Sequence, residues 1–326
     1  MSDAALYESK ARYGIPGKRK KKRVSLAADI KKNVFLYLLV LPGVFYFILF
    51  KYLPMVGIVI AFEDFSFVKG IFRSRFVGLK NFEFFFSSRD WIQVTFNTIY
   101  LNILFIATGL FFSILIAIVL SEITGTYFRK ITQSLVILPN FISWTIVAMF
   151  TFSLCATDIG FINTTLKAFH LEPLSFYSTP GIWPVLLVLL KIWKGAGFGS
   201  VVYLAAIAGI DQEIYEAARI DGASRLQCIR RITLPQLRST AVLLTLFAVG
   251  GIFHGDFGLI YALVGDNPLL YSTTDIIDTY VYRQLRQLGE ISMSAAVGFY
   301  QSFVGFIIVV AANKLANKID KDSAIF

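Results

Sequence analysis

Six long apolar stretches leave this chain few ways to fold. They run Val34–Leu53, Phe96–Leu120, Gln133–Phe152, Ile182–Ile207, Thr240–Leu263 and Met293–Ala312. Each is near the ~20 residues that an α-helix needs to cross ~30 Å of hydrocarbon. The runs are continuous rather than alternating with period two, which argues against a transmembrane barrel. Of the 326 residues, 56% are hydrophobic and only 16% charged, whereas about 25% charged is usual for a water-soluble domain. The reading is an all-α polytopic membrane protein with six transmembrane helices.

The positive charge sets the orientation. Twenty of the 31 Lys and Arg fall in segments 1–33, 121–132, 208–239 and 313–326, and eight fall in 54–95, 153–181 and 264–292. By the positive-inside rule the first group is cytoplasmic, and with it both termini. The run Lys18–Arg23, just ahead of the first span, reads as a topology anchor against anionic lipid rather than a nucleic-acid arm. Cys155 and Cys228 then lie on opposite sides and cannot pair, and no Cys/His cluster points to metal. The outer segment 54–95 holds Gly78-Leu79-Lys80-Asn81-Phe82 and the run Phe84-Phe85-Phe86. These read as an interfacial aromatic belt or as a docking surface for an external partner.

Segment 208–239 carries the clearest local grammar. Asp211 stands where a helix N-cap belongs, Gly222 where a left-handed C-cap belongs, and Ser224 can cap a second helix that runs toward Pro235. Polar and short, this helix–turn–helix lies between two spans on the cytoplasmic side.

Glu216-Ala217-Ala218, then Gly222 and Ile232-Thr233-Leu234-Pro235 at their spacing, resemble the EAA loop of permease subunits in binding-protein-dependent ABC importers. The resemblance covers roughly residues 96–312. The added first span and Gly78–Phe82 look like the sugar-uptake branch, of the maltose-permease larger-subunit type. Leu41-Pro42-Gly43, Phe50–Met55 and Tyr203-Leu204-Ala205-Ala206 are similar to a subgroup importing complex oligosaccharides, alginate importers among them. The resemblance implies a type I ABC importer permease core over 96–312, preceded by a basic segment 1–33 and a first-span unit 34–95, and followed by a tail 313–326. It implies that Tyr215, Glu216, Ala217, Ala218, Arg219, Asp221 and Gly222 form the coupling helix docked on an ATPase. Implied partners are a second homologous permease, two copies of an ATP-binding subunit, an extracytoplasmic solute-binding protein and the lipid of the bacterial inner membrane. ATP and Mg would be bound by the ATPase subunits. No cofactor is expected in this chain, which has no GxxxxGK[ST] motif and no catalytic constellation.

Ionisable groups inside spans are costly and mark function or pairing. Lys191 and Lys194 flank Trp193 in the fourth span, and His254 and Asp256 lie in the fifth among Gly250, Gly251 and Gly255. One reading is structural, with Lys194 paired to Asp256. The other is a saccharide pathway in which Trp193, Phe198, Phe253, Phe257 and Tyr300 offer aromatic faces and Gln301 a hydrogen bond, with the lysines suiting an anionic sugar. A self-contained ion-coupled transporter using Asp256 and His254 is the rival to the importer. Pro139 is expected to bend the third span.

Overall fold

The computed structural model describes residues 30–319. The basic run 18–23 and the end of the tail lie outside them. Contacts divide the chain into two units, 1–56 and 57–326. The first unit holds α1 (Val34–Phe47), which continues as a π-helical turn, Ile48–Tyr52. None of these residues is buried within the chain. Such a helix takes its stability from the bilayer, which obliges backbone groups to bond along the chain.

A 3-10 helix, Leu53–Phe62, leads into the second unit and to a small hairpin of β1 (Glu63–Asp64) and β2 (Arg75–Phe76). A short helix, α2 (Lys80–Ser87), follows it. Asn81 donates its amide to the carbonyls of Ala61 and Glu63, both at 2.9 Å, fastening α2 to the hairpin. The aromatic run on α2 divides by face: Phe84 and Phe86 are exposed, whereas Phe85 is only 1% exposed. Phe85 packs with Val94, Phe253, Tyr280 and Val297, so this ring belongs to the core rather than to a belt or a docking surface.

Two long helices form the spine. These are α3 (Asp90–Glu122) and, later in the chain, α7 (Trp183–Ala208). Between them come α4 (Thr126–Ile137), α5 (Trp144–Cys155) and α6 (Phe161–Ala168). Along α7 small residues admit close neighbours: Gly197 lies against the Val136 backbone of α4 and Gly199 against the Ser113 hydroxyl of α3. Close approach through small residues replaces the hydrophobic drive that lipid cannot supply. Beyond α7 the chain forms α8 (Gln212–Ile220), α9 (Arg225–Cys228), α10 (Arg238–Gly250), α11 (Phe257–Val264), α12 (Tyr271–Thr274), α13 (Ile277–Arg286) and α14 (Ile291–Ile319).

Four described helices are long and apolar enough to cross a membrane, and two bent pairs raise the number to six. The third span departs from a simple kink. Thr126–Phe141 and Trp144–Cys155 meet at 93°, because Pro139 opens a 3-10 turn, Leu138–Phe141, and Ser143 starts a new helix by accepting a hydrogen bond from the Ile146 N–H. The fifth span also differs from the expected Thr240–Leu263. Its helix stops at Gly250, residues 251–256 are unwound, and α11 begins at Phe257. Gly251 is the C-cap of α10, and Asp256 caps the next helix through Leu259 N–H at 3.0 Å.

Gly197→Ala is expected to lower the thermal unfolding midpoint in detergent, because the added methyl meets the Val136 backbone, which cannot swing aside as a side chain would. The cost is on the order of 1–3 kcal/mol. Gly195→Ala, whose methyl enters open space, serves as the control and does not lower the midpoint, since Ala is favoured over Gly inside a helix by about 0.5–1 kcal/mol.

Candidate functional site

The two breaks in the spans both meet α7, one through Lys191 and the other through Lys194. Lys191 forms a salt bridge with Asp256, with the two side chains 35% and 24% exposed. Lys194, one turn further along the same face, donates to the carbonyl of Asn140 at 2.6 Å. The expected pairing of Lys194 with Asp256 is therefore corrected. The partner is Lys191, and Lys194 serves the open backbone of the third-span break. Trp144 stands beside both cations, its ring centroid 5.9 Å from the Lys191 ammonium and 5.2 Å from that of Lys194. Phe105 of α3 lies 5.6 Å from Lys191. Beside this group a cavity of about 330 Å³ is lined by Asn102, Phe105, Ser113, Lys191, Tyr203 and Thr245, among others.

Unwound backbone is tolerated at membrane depth only where protein or a wet cavity satisfies it. The turn 251–256 meets this condition through three other helices. Asn102 of α3 donates to the carbonyls of Ile252 at 3.0 Å and His254 at 3.3 Å. Gln301 of α14 donates to the carbonyl of Phe253 at 2.7 Å and to Asp278 at 2.9 Å. Asp278 of α13 accepts from Gly255 N–H at 2.7 Å. At Gly255 a side chain would press on the Ile276 side chain and the Asp278 carboxylate, both of which would have to shift. The turn is thus pinned, and with it the carboxylate of Asp256.

The proposed pathway residues fall into three groups. Lys191, Lys194 and Asp256 gather around Trp144, and of the three Lys191 lines the cavity. Phe253, Tyr300 and Gln301 are engaged in packing: Phe253 is 2% exposed, Tyr300 packs edge-on or tilted against Phe85, Phe86 and Phe253, and Gln301 holds the turn. Phe257 stacks on Tyr261 and meets Tyr282. Trp193, Phe198 and His254 are exposed within this chain, and helical geometry places Trp193 on the face of α7 away from Lys191. Asn102 and Asp278 were not singled out from the sequence. Asn102 carried a signal, an amide inside an apolar span, whereas Asp278 sits in a polar helix where nothing marks it.

On the loop, Asp211 accepts from Glu213 N–H at 3.0 Å and starts α8. Gly222 adopts φ +82°, the left-handed conformation that ends it. Ser224 and Gln227 form a reciprocal capping box for α9. Glu216, Ala217, Arg219, Asp221 and Gly222 are exposed, while Tyr215 and Ala218 are half-buried. Tyr215 bonds the Thr233 hydroxyl at 2.9 Å.

The sequence pattern of the family described as "Binding-protein-dependent transport system inner membrane component" matches residues 109–321. The chain belongs to this family. Relatives in Bacillus subtilis (strain 168) include Protein LplB, 38% identical over 92% of this chain and 94% of the relative. The polygalacturonan/rhamnogalacturonan transport system permease protein YteP, also 38% identical, covers 93% and 94%. A solved bacterial ABC transporter involved in the import of the acidic polysaccharide alginate has a chain that aligns with a TM-score of 0.82. It is 34% identical over 90% of this chain and 99% of that one. A second structure, of the alginate transporter in complex with its alginate pentasaccharide-bound periplasmic protein, aligns equally well. The permease is thus an inner-membrane component of an ABC importer and not a self-contained ion-coupled carrier. Its relatives are permease subunits, which are not themselves enzymes.

Gln301→Leu is expected to leave the Phe253 carbonyl without a donor and to destabilise the permease by about 1–3 kcal/mol. The reading is thermal unfolding in detergent. Asp256→Asn strands the Lys191 ammonium, and adding Lys191→Met to it should recover stability, since the pair is removed together. Failure of the double variant to exceed Asp256→Asn would show that the pair is not the relevant unit.

Proposed function

We propose that this permease imports an acidic oligosaccharide, with Lys194 as the charge that recognises it. The carrying observation is the imbalance at the break: two ammonium groups and one carboxylate meet around Trp144. Asp256 neutralises Lys191, whereas Lys194 is held by a backbone carbonyl that accepts without cancelling its charge. The N-terminus of α5, at Trp144, adds the positive end of a helix dipole. An indole face beside a cation suits a sugar ring bearing a carboxylate. Support also comes from relatives, since alginate is acidic and polygalacturonan is a polymer of uronic acid.

In this reading both termini are cytoplasmic, as the Lys and Arg distribution favours. The permease pairs with a second, homologous permease and two ATP-binding subunits, which carry the ATP and Mg. Closure of those subunits presses on residues 215–222 and opens the cavity outward, where a binding protein delivers the sugar. Hydrolysis then resets the inward-facing form.

The test is uptake into proteoliposomes holding the full importer, with uronate and neutral oligomers of equal length. Lys194→Gln should lower uronate uptake about tenfold, the size of one hydrogen bond to a charged group, and spare neutral uptake where it occurs. Equal loss for both sugars would overturn charge recognition. Uptake by the permease in the absence of an ATPase subunit would overturn the assembly.

A further inference from the structure

The fifth span and the coupling helix are joined twice, once by the chain and once by a side-chain bond. By the chain, α8 reaches α10 through the turn at Gly222, then α9, a π-helical segment, Ile229–Thr233, and a 52° bend after Gln236. Each of these is a place where a push on α8 can dissipate. The π segment lies just ahead of Pro235, whose ring nitrogen cannot bond the carbonyl one turn back. A cleft of about 330 Å³, lined by Ala218, Asp221, Gln227 and Arg231 among others, separates the two limbs. Across it α8 has room to tilt.

The hydrogen bond between the Tyr215 and Thr233 hydroxyls bridges those limbs at 2.9 Å. Tyr215 lies in the middle of α8, and Thr233 is 4% exposed at the last residue of the π segment. Tyr215 therefore turns inward, while Glu216 and Ala217 beside it point to solvent. We infer that Tyr215 is a positioning residue: its bond to Thr233 makes α8 and the approach to the fifth span move as one lever. A displacement of α8 then reaches α10, and beyond it the pinned turn that holds Asp256, without passing through the Gly222 turn. The inference rests on α8 being the surface that meets the ATPase.

The experiment uses the full importer in proteoliposomes, with purified binding protein and uronate oligomer, and reads sugar transported per ATP hydrolysed. Tyr215→Phe removes one oxygen and should lower that ratio about fivefold, the weight of one neutral hydrogen bond. Thr233→Val should do the same, and the double variant should be no worse than either. Thr233→Ser keeps the hydroxyl and should retain the wild-type ratio, which separates the bond from packing at that site. An unchanged ratio in Tyr215→Phe, or losses that multiply in the double variant, would overturn the inference. Failure of the ATPase subunit to co-purify with the wild-type permease would instead overturn the reading of α8.

Discussion

Open backbone inside a bilayer must find partners within the protein, and this permease is arranged around two places where its helices come undone. At 138–143 the freed Asn140 carbonyl is met by the Lys194 ammonium. At 251–256 the freed groups are met by Asn102, Asp278 and Gln301. An ammonium or amide placed in hydrocarbon for any other purpose would be costly. Here the same side chains that relieve the backbone also line or support a polar site. The site and the stability of the breaks are consequently one problem, and a substitution in either is read in both.

The ion pair between Lys191 and Asp256 links the two breaks through α7. Asp256 is at once the cap of α11 and the counter-charge of Lys191, so the carboxylate is fixed by the helix it starts. Ser143 is the equivalent cap on the other break, accepting from Ile146 N–H, and Trp144 follows it as the first residue of α5, beside both lysines. Each half-helix thus presents its N-terminal end to α7, one through its cap Asp256 and the other through Trp144. The geometry converts two interruptions of regular structure into a convergent set of groups on three helices, which is how broken spans build sites near the midplane.

What the sequence made legible follows from how local each signal is. The caps of α8 and α9 depend on contacts within a few residues, and Asp211, Gly222 and Ser224 take those roles. The four to six candidate spans among the described residues were readable because hydropathy is a sum over ~20 residues, insensitive to a break within them. That insensitivity hid the unwound turn, since Ile252, Phe253 and Phe257 keep the window apolar across it. The bend at Pro139 was legible, but its 93° was not, because proline says that a bond is lost and not where the next helix points. Lys191 and Lys194 share a face one turn apart, so only the register of α7 against α11 decides which one meets Asp256.

Phe253 shows why an aromatic residue near a pathway is a weak indicator taken alone. Its ring is buried against Phe85 and Val297, while its carbonyl is the group that needs Gln301. The side chain fixes the turn from one side and the backbone from the other, and neither faces the cavity. Residue type gave the ring, but the chemistry at this position lies in the peptide group. In a membrane the unwound peptide is the scarce polar resource, and the side chains that complete it, Asn102 and Gln301, are recognisable only when the break itself is known. Polar groups in such a chain therefore gather where the helices stop.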